Sequence, residues 1–127
     1  MWVEACALLD EAEQRHRHFF ERLAAPAATP AWEPPADVFS TETELYIRVA
    51  LPGARAEDIR VGIVTAGLVI ETTVPPPMIS TAMHVVRLEI PYGLMRRRIE
   101  LPPGRYSLRE QRFENGNLHL CIAELTP

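Results

Sequence analysis

Residues 44–53 read ELYIRVALPG, and this stretch decides the class of fold. Every second side chain from Leu45 to Leu51 is aliphatic, and more polar residues alternate with them. Successive side chains of a β-strand point to opposite faces, so this spacing predicts a strand with one buried face. The Pro52-Gly53 pair that follows ends the strand, because both residues favour turns.

The same two-residue period recurs through the rest of the chain. Further strands are predicted at Ile59 to Ile63, Leu68 to Thr72, Val86 to Ile90, Met95 to Leu101, Leu108 to Glu114 and Leu118 to Ile122. Turn signals separate them, of which Asn115-Gly116 is a strong hairpin turn. Short strands separated at regular intervals by turns predict an all-β, immunoglobulin-like β-sandwich.

The N-terminal residues follow a different period. Over residues 1–24 the large side chains recur at spacings near three and four, which predicts a helical arm. An Ala/Pro linker follows at residues 25–34, and its prolines prevent the helix from continuing. The helix either packs on its own domain or contacts other subunits and unfolding proteins, and we favour the second. The apolar contacts of such an arm are Trp2, Leu9, Phe19, Phe20 and Leu23.

Composition excludes several classes of function. The chain has 127 residues and a formal net charge of −4, so no broad cationic surface for nucleic acid is expected. No apolar run approaches the roughly 20 residues that span a bilayer, and no signal peptide is present. Cys6 and Cys121 do not form a disulfide framework. We therefore expect a cytoplasmic protein that binds neither nucleic acid nor membrane.

The search for catalytic and metal-binding groups yields no set of residues. His16 and His18 point to different faces of the predicted helix, and His84 and His119 have no further ligands close in the pattern. Cys121 shares a strand face with His119, which is too few groups for a metal site. No serine lies in a nucleophile elbow, and the chain contains no lysine for a phosphate loop. The expectation is a protein that is not an enzyme and uses no metal or cofactor.

Arg97 interrupts the apolar face of its predicted strand. It falls between Met95 and Ile99, and a buried guanidinium requires a carboxylate or carbonyl partner. Arg97 either extends to solvent at the strand edge or pairs across a subunit interface. We favour the interface.

These segments, taken in order, resemble the α-crystallin domain of the small heat shock proteins of the bacterial and plant type. The resemblance covers residues 35–125. It rests on Pro35–Val38, Arg48–Gly53, Glu57–Val61, Gly67–Ile70, Arg87–Gly93 with Arg97 and Leu101-Pro102, and Asn115–Leu118. Each motif is weak alone, but their order and spacing together are specific.

The resemblance implies a stress-response chaperone, an ATP-independent holdase that binds unfolding proteins and prevents their aggregation. It also implies a homodimer in which a strand from the loop of one copy pairs with the entry strand of the other. The residues so implied at the dimer interface are Arg97, Asp37, Val38, Met78, Ile79, Ser80, Thr81, Ala82 and Met83. A groove for apolar segments is implied at Ile59, Val61 and Leu108.

The sequence departs from the family pattern at several points. The loop that holds residues 78–83 begins with three prolines, and Gln111 and Asn117 replace the usual alanine and valine. The usual C-terminal anchor tail is not present in this sequence, which favours a dimer or small homo-oligomer over a large cage. The alternative function is a CS-type sandwich, a co-chaperone or adaptor that binds one defined partner.

Overall fold

A computed structural model describes residues 31–125. The predicted helical arm and linker residues 25–30 lie outside the described residues, and so do residues 126–127. The described part contains seven strands and one turn of 3₁₀ helix at Ala56–Asp58. The strands are β1 Ala36–Ser40, β2 Glu44–Ala50, β3 Arg60–Val64, β4 Gly67–Val74, β5 Gly93–Glu100, β6 Tyr106–Glu114 and β7 Asn117–Glu124.

The strands form two antiparallel sheets. One has the order β1-β2-β7-β6 and the other the order β3-β4-β5. Residues 44–50, whose aliphatic side chains alternate, form β2. This strand pairs along its whole length with β7 at the centre of the larger sheet. The predicted all-β sandwich is therefore confirmed.

The core lies between the two sheets. From β2 it takes Ile47 and Val49, which are registered opposite Leu120 and Leu118 of β7. The smaller sheet contributes Met95 and several buried aliphatic side chains. Those side chains are Leu68, Ile70, Val74 and Ile99. Burial of such side chains provides the main driving force for folding, about 1.5–3 kcal/mol for each fully buried aliphatic residue.

Two turns depend on glycine. Asn115 and Gly116 have φ angles of 53° and 76°, as the predicted two-residue hairpin between β6 and β7 requires. Gly53 ends the β2 segment with a φ of 80°, and a Cβ there would lie 3.2 Å from Val74 Cγ1. At Gly116 a Cβ would meet no atom within 4 Å. The two positions thus share a backbone requirement and differ in available space.

One predicted strand is wrong. Residues 85–90 form no strand, and the whole connection between β4 and β5 is irregular. Its apolar residues lie in solvent, with Val86 96% exposed and Leu88 58% exposed. A segment with this alternation forms a strand only where the free edge of another strand pairs with it. Within residues 31–125, no strand pairs with residues 85–90.

The strand β4 is buried more completely than a two-residue period indicates. Leu68 and Ile70 face the core as predicted, but Val69 and Glu71 on the opposite face are also buried. On that opposite face, Val69 and Glu71 are registered opposite the long side chains of Arg98 and Arg96 of β5, and the Arg98 guanidinium lies over Gly67 of β4.

The two glycine turns give a matched pair of substitutions. We expect Gly116→Ala to lower the free energy of unfolding by about 1 kcal/mol, the cost of placing a Cβ in the left-handed region. Gly53→Ala carries the same cost plus the contact with Val74, so its loss should be larger, about 2 kcal/mol or more. Urea denaturation of both variants measures the difference. Equal losses at the two positions would show that the contact with Val74 has no energetic weight.

Candidate interaction surfaces

The edge strand β1 presents one unpaired side. Within residues 31–125 it pairs only with β2, in a register that sets Asp37 opposite Arg48 and Val38 opposite Ile47. Val38 shares the core-facing side of the sheet with Ile47, yet it is 47% exposed, and Phe39 is 62% exposed. Asp37 and Val38, both predicted at a dimer interface, therefore lie on an open edge with unused backbone donors and acceptors.

The loop between β4 and β5 holds the other predicted interface residues. Residues 78–83 are all exposed, and Met78 is 99% exposed. The Met83 N–H donates to the Ser80 carbonyl at 3.0 Å, which closes a turn. An extended strand over residues 78–83 is therefore absent from this structure. The apolar alternation of the loop falls later, at Val86, Leu88 and Ile90.

Arg97 lies where the sequence predicts it. It is half-buried on the core-facing side of β5, between the buried Met95 and Ile99, and opposite Ile70 of β4. Within residues 31–125, no side chain or carbonyl hydrogen-bonds or ion-pairs with its guanidinium. Its donors are thus available to a group from another molecule. The structure does not bring Arg97 together with Asp37 and Val38, which belong to the other sheet.

The predicted groove residues differ in exposure. Ile59 is only 5% exposed and belongs to the core, while Val61 packs half-buried against it. Leu108 is 40% exposed on the edge strand β6. Exposure also rises along β3, to 38% at Ile63, and a groove formed by Ile59, Val61 and Leu108 stays a prediction.

A groove does exist at the other end of β3. Its volume is about 330 Å³, and it is bounded by Ile63 and Val64 on one side and by Tyr106 and Leu125 on the other. The rest of the lining comes from Ala66, Gly67, Gly104 and Arg105. The Leu125 N–H donates to the Arg105 carbonyl at 2.7 Å, which holds the end of the described chain beside the groove. The alternation of β3 identified the strand but not which of its residues remain accessible.

The outer face of the larger sheet carries a polar cluster that the sequence did not reveal. The Cys121 thiol donates to Glu44 Oε2 at 2.9 Å, and Arg109 Nη1 donates to the same oxygen at 3.3 Å. A β-bulge between Leu108 and Glu110 occurs at Arg109. The three residues come from three different strands, and the bulge sets the position of Arg109. Their proximity therefore follows from the pairing register of the sheet and not from their spacing in the sequence.

The cluster keeps its thiol unreactive. Burial raises the pKa of the Cys121 thiol, and the hydrogen bond to Glu44 and its negative charge raise this pKa further. A thiol needs a lowered pKa to serve as a nucleophile near neutral pH, so this environment does not activate Cys121. The pKa of the neighbouring Tyr46 is also raised, chiefly by the charge of Glu44.

Within residues 31–125, no group of three or more His, Cys, Asp or Glu side chains is placed to hold a metal ion. Over the same residues, no helix has the length and apolar character needed to cross a membrane.

Comparison with known proteins gives matches among solved structures. No protein-family model matches the sequence, and no curated protein matches it. Heat shock protein 16.0 from Schizosaccharomyces pombe is 26% identical, with a TM-score of 0.64 over 73% of this chain and 87% of its own. A small heat-shock protein from Xylella fastidiosa is also 26% identical, with a TM-score of 0.61 over 77% and 94% of the two chains.

A third match is more distant in sequence and similar in fold. The hspA protein from Xanthomonas axonopodis is 23% identical, with a TM-score of 0.62 over 75% of this chain and 96% of its own. These proteins share the two-sheet sandwich, and the motifs of the sequence analysis lie on its strands and turns. The chain is similar to the small heat shock proteins, and its β-sandwich has the fold of their α-crystallin domain.

Proposed function

We propose that this protein is an ATP-independent holdase chaperone, which binds unfolding proteins and keeps them from aggregating. The observation that supports this best is the amount of apolar surface that the folded domain leaves in solvent. Met78, Val86 and Phe39 are each more than half exposed, in a domain whose core is otherwise complete. Monomeric soluble proteins rarely expose so many large apolar side chains without an interaction to serve.

The physical basis of such a function is competition. Unfolding proteins aggregate through newly exposed apolar segments and unpaired strand edges, and the same groups associate with apolar surface and open edges on a chaperone. No chemical step and no nucleotide are needed, because the driving force is burial of apolar area. The predicted arm adds to this surface in the proposal, through Trp2, Leu9, Phe19, Phe20 and Leu23.

The proposal includes a homodimer formed by strand exchange. The open edge of β1 lacks a partner, and residues 85–90 have the alternation of a strand without an edge to pair with. If residues 85–90 of a second copy add to β1, then Val86, Leu88 and Ile90 extend the apolar side that Val38 begins. This assigns the exchanged strand to residues 85–90 rather than to the predicted 78–83. Exchange of the same segments in both directions gives a two-fold dimer.

Arg97 belongs to the same proposal. A half-buried guanidinium without a partner is costly, and a carbonyl or carboxylate of the second copy would relieve that cost. The assembly of such a dimer therefore satisfies both an unpaired strand edge and an unpaired charge.

The holdase activity is tested with reduced insulin, whose B chain aggregates at moderate temperature. We expect the full chain at an equimolar ratio to suppress light scattering without ATP, and added ATP to change nothing. The combined variant Phe19→Ser/Phe20→Ser should suppress scattering less, because it removes apolar contact from the arm. Unchanged scattering with the wild-type chain would contradict the proposal and favour an adaptor that binds one defined partner.

The exchanged segment is identified by a matched pair of substitutions in the same loop. We expect Leu88→Asp to reduce the native mass from dimer to monomer, because it places a charge on the apolar side of the added strand. Met78→Asp should leave the mass unchanged, although Met78 is the more exposed residue. Native mass spectrometry or light scattering of the solution measures both, and neither substitution affects a buried residue of the domain.

Arg97→Ala is examined in the same measurement, with the exposed Arg98→Ala as its control. The proposal expects the dimer dissociation constant to rise roughly tenfold or more with the first variant, and to stay constant with the second. A mass lowered by Met78→Asp and not by Leu88→Asp would return the exchanged strand to residues 78–83. If none of these substitutions changes the mass, this dimer interface is wrong.

A further inference from the structure

Among residues 31–125, a single residue from outside the sheet covers the edge of β5. The Trp32 N–H donates to the Leu94 carbonyl at 3.0 Å, and the Arg96 N–H donates to the Trp32 carbonyl at 3.0 Å. Trp32 thereby forms an isolated parallel bridge with Met95. Its side chain is half-buried and packs against the core. We call residues 31–33, with Trp32 at their centre, the strap.

The strap cannot extend into a longer strand. In extended chain, successive residues direct their backbone groups to opposite sides, so Ala31 and Glu33 direct theirs away from β5. Pro34 and Pro35 follow, and neither has an N–H to donate. Residues 31–33 therefore form one bridge with β5, between Trp32 and Met95. On its other side, β5 forms eight residue pairs with β4.

The far end of the strap is firmly attached. Pro34 is fully buried, and the Ala50 N–H donates to the Pro35 carbonyl at 3.1 Å. The two prolines thus fix the chain to β2 while Trp32 contacts the other sheet. If the two hydrogen bonds of Trp32 to β5 break, the strap separates from β5 while the hydrogen bond between Ala50 and Pro35 remains.

Removal of the strap leaves an edge of defined chemistry. The Leu94 carbonyl and the Arg96 N–H become free, and the backbone of Arg98 points to the same side by alternation. Met95, fully buried now, lies beneath the vacated indole. An extended segment with a large apolar residue fits this edge, as Trp32 of the strap does.

We propose that the strap is displaced by an unfolding protein, and that the β5 edge beneath it binds an extended segment of that protein as an added strand. This inference rests on the proposed holdase function and names a binding site for it. The bound segment forms the same two backbone hydrogen bonds as Trp32 and places an aromatic or aliphatic side chain against Met95. Its next residues then pair with the β5 backbone as far as Arg98. Strand addition at an exposed edge is a general mode of peptide recognition.

The edge of β6 provides a contrast within the same domain. It is lined by exposed charged residues, including Glu110 and Arg112, and its bulge at Arg109 interrupts regular pairing. Such features prevent strand addition. The β5 edge has no bulge and is covered by only one rung.

The test uses the tryptophan of the strap as its own reporter. The chain has two tryptophans, so Trp2→Phe leaves Trp32 as the only reporter, and insulin B chain contains none. Because Trp2 belongs to the proposed arm, suppression of scattering is measured with this same variant. We expect the Trp32 emission to shift to longer wavelength and its quenching by acrylamide to increase as reduced B chain is added. The midpoint should coincide with the midpoint for suppression of scattering.

A second set of variants measures the effect of the strap on affinity. We expect Trp32→Ala to lower the apparent dissociation constant for B chain, by roughly tenfold, because the covered state no longer competes. Trp32→Phe should fall between Trp32→Ala and the wild type, and Tyr46→Ala, which truncates an exposed aromatic residue elsewhere, should have no effect. If circular dichroism shows that Trp32→Ala does not fold, the affinity of Trp32→Phe for B chain and the emission of Trp32 test the inference instead.

The outcomes separate this inference from the proposed function. Suppression of scattering with an unchanged Trp32 emission would overturn the strap and leave the holdase intact. No suppression by the wild-type chain would overturn both. If Trp32→Ala raises the native mass without a gain in affinity for B chain, the β5 edge pairs with a second copy, and an unfolding protein is not its occupant.

Discussion

The organisation of this domain depends on one constraint: the backbone N–H and C=O groups at the edges of an open β-sandwich must be paired, covered or protected. The two sheets have their edges at β1 and β6 and at β3 and β5. The chain treats three of them in different ways. Charges and a bulge protect β6, Trp32 covers β5 with one rung, and β1 stays open beside exposed Val38 and Phe39.

The domain can leave strand edges open because its hydrophobic core is complete. β2 and β7 pair along their full length, and Ile47, Val49, Leu118 and Leu120 close the centre of the sandwich without help from the edges. The domain therefore does not need its open edge or its exposed loop for its own stability. Apolar surface that folding leaves unused is available for association, which is why the proposed dimer and the proposed binding of unfolding proteins both use edges and loops.

The sequence predicts the strands well where a partner strand lies in the same chain. β2, β4, β5, β6 and β7 lie where the sequence predicts them, and Asn115-Gly116 forms the predicted hairpin. The period fails at residues 85–90 because alternation does not say which edge will pair with a segment. The period also does not show how exposure rises along β3, from the buried Ile59 to the exposed Ile63, because tertiary packing sets that rise. The Glu44–Cys121–Arg109 cluster was missed because a pairing register and a bulge bring its members together.

The central claim is that the open edge of β1 is paired by residues 85–90 of a second copy, and amide hydrogen exchange tests it most directly. The account predicts that alternate amides within residues 85–90 exchange slowly at concentrations where the protein is a dimer. The same amides should exchange rapidly after dilution to monomer, while those of β2 and β7 remain protected. Rapid exchange throughout residues 85–90 in a solution shown to be dimeric would contradict the claim.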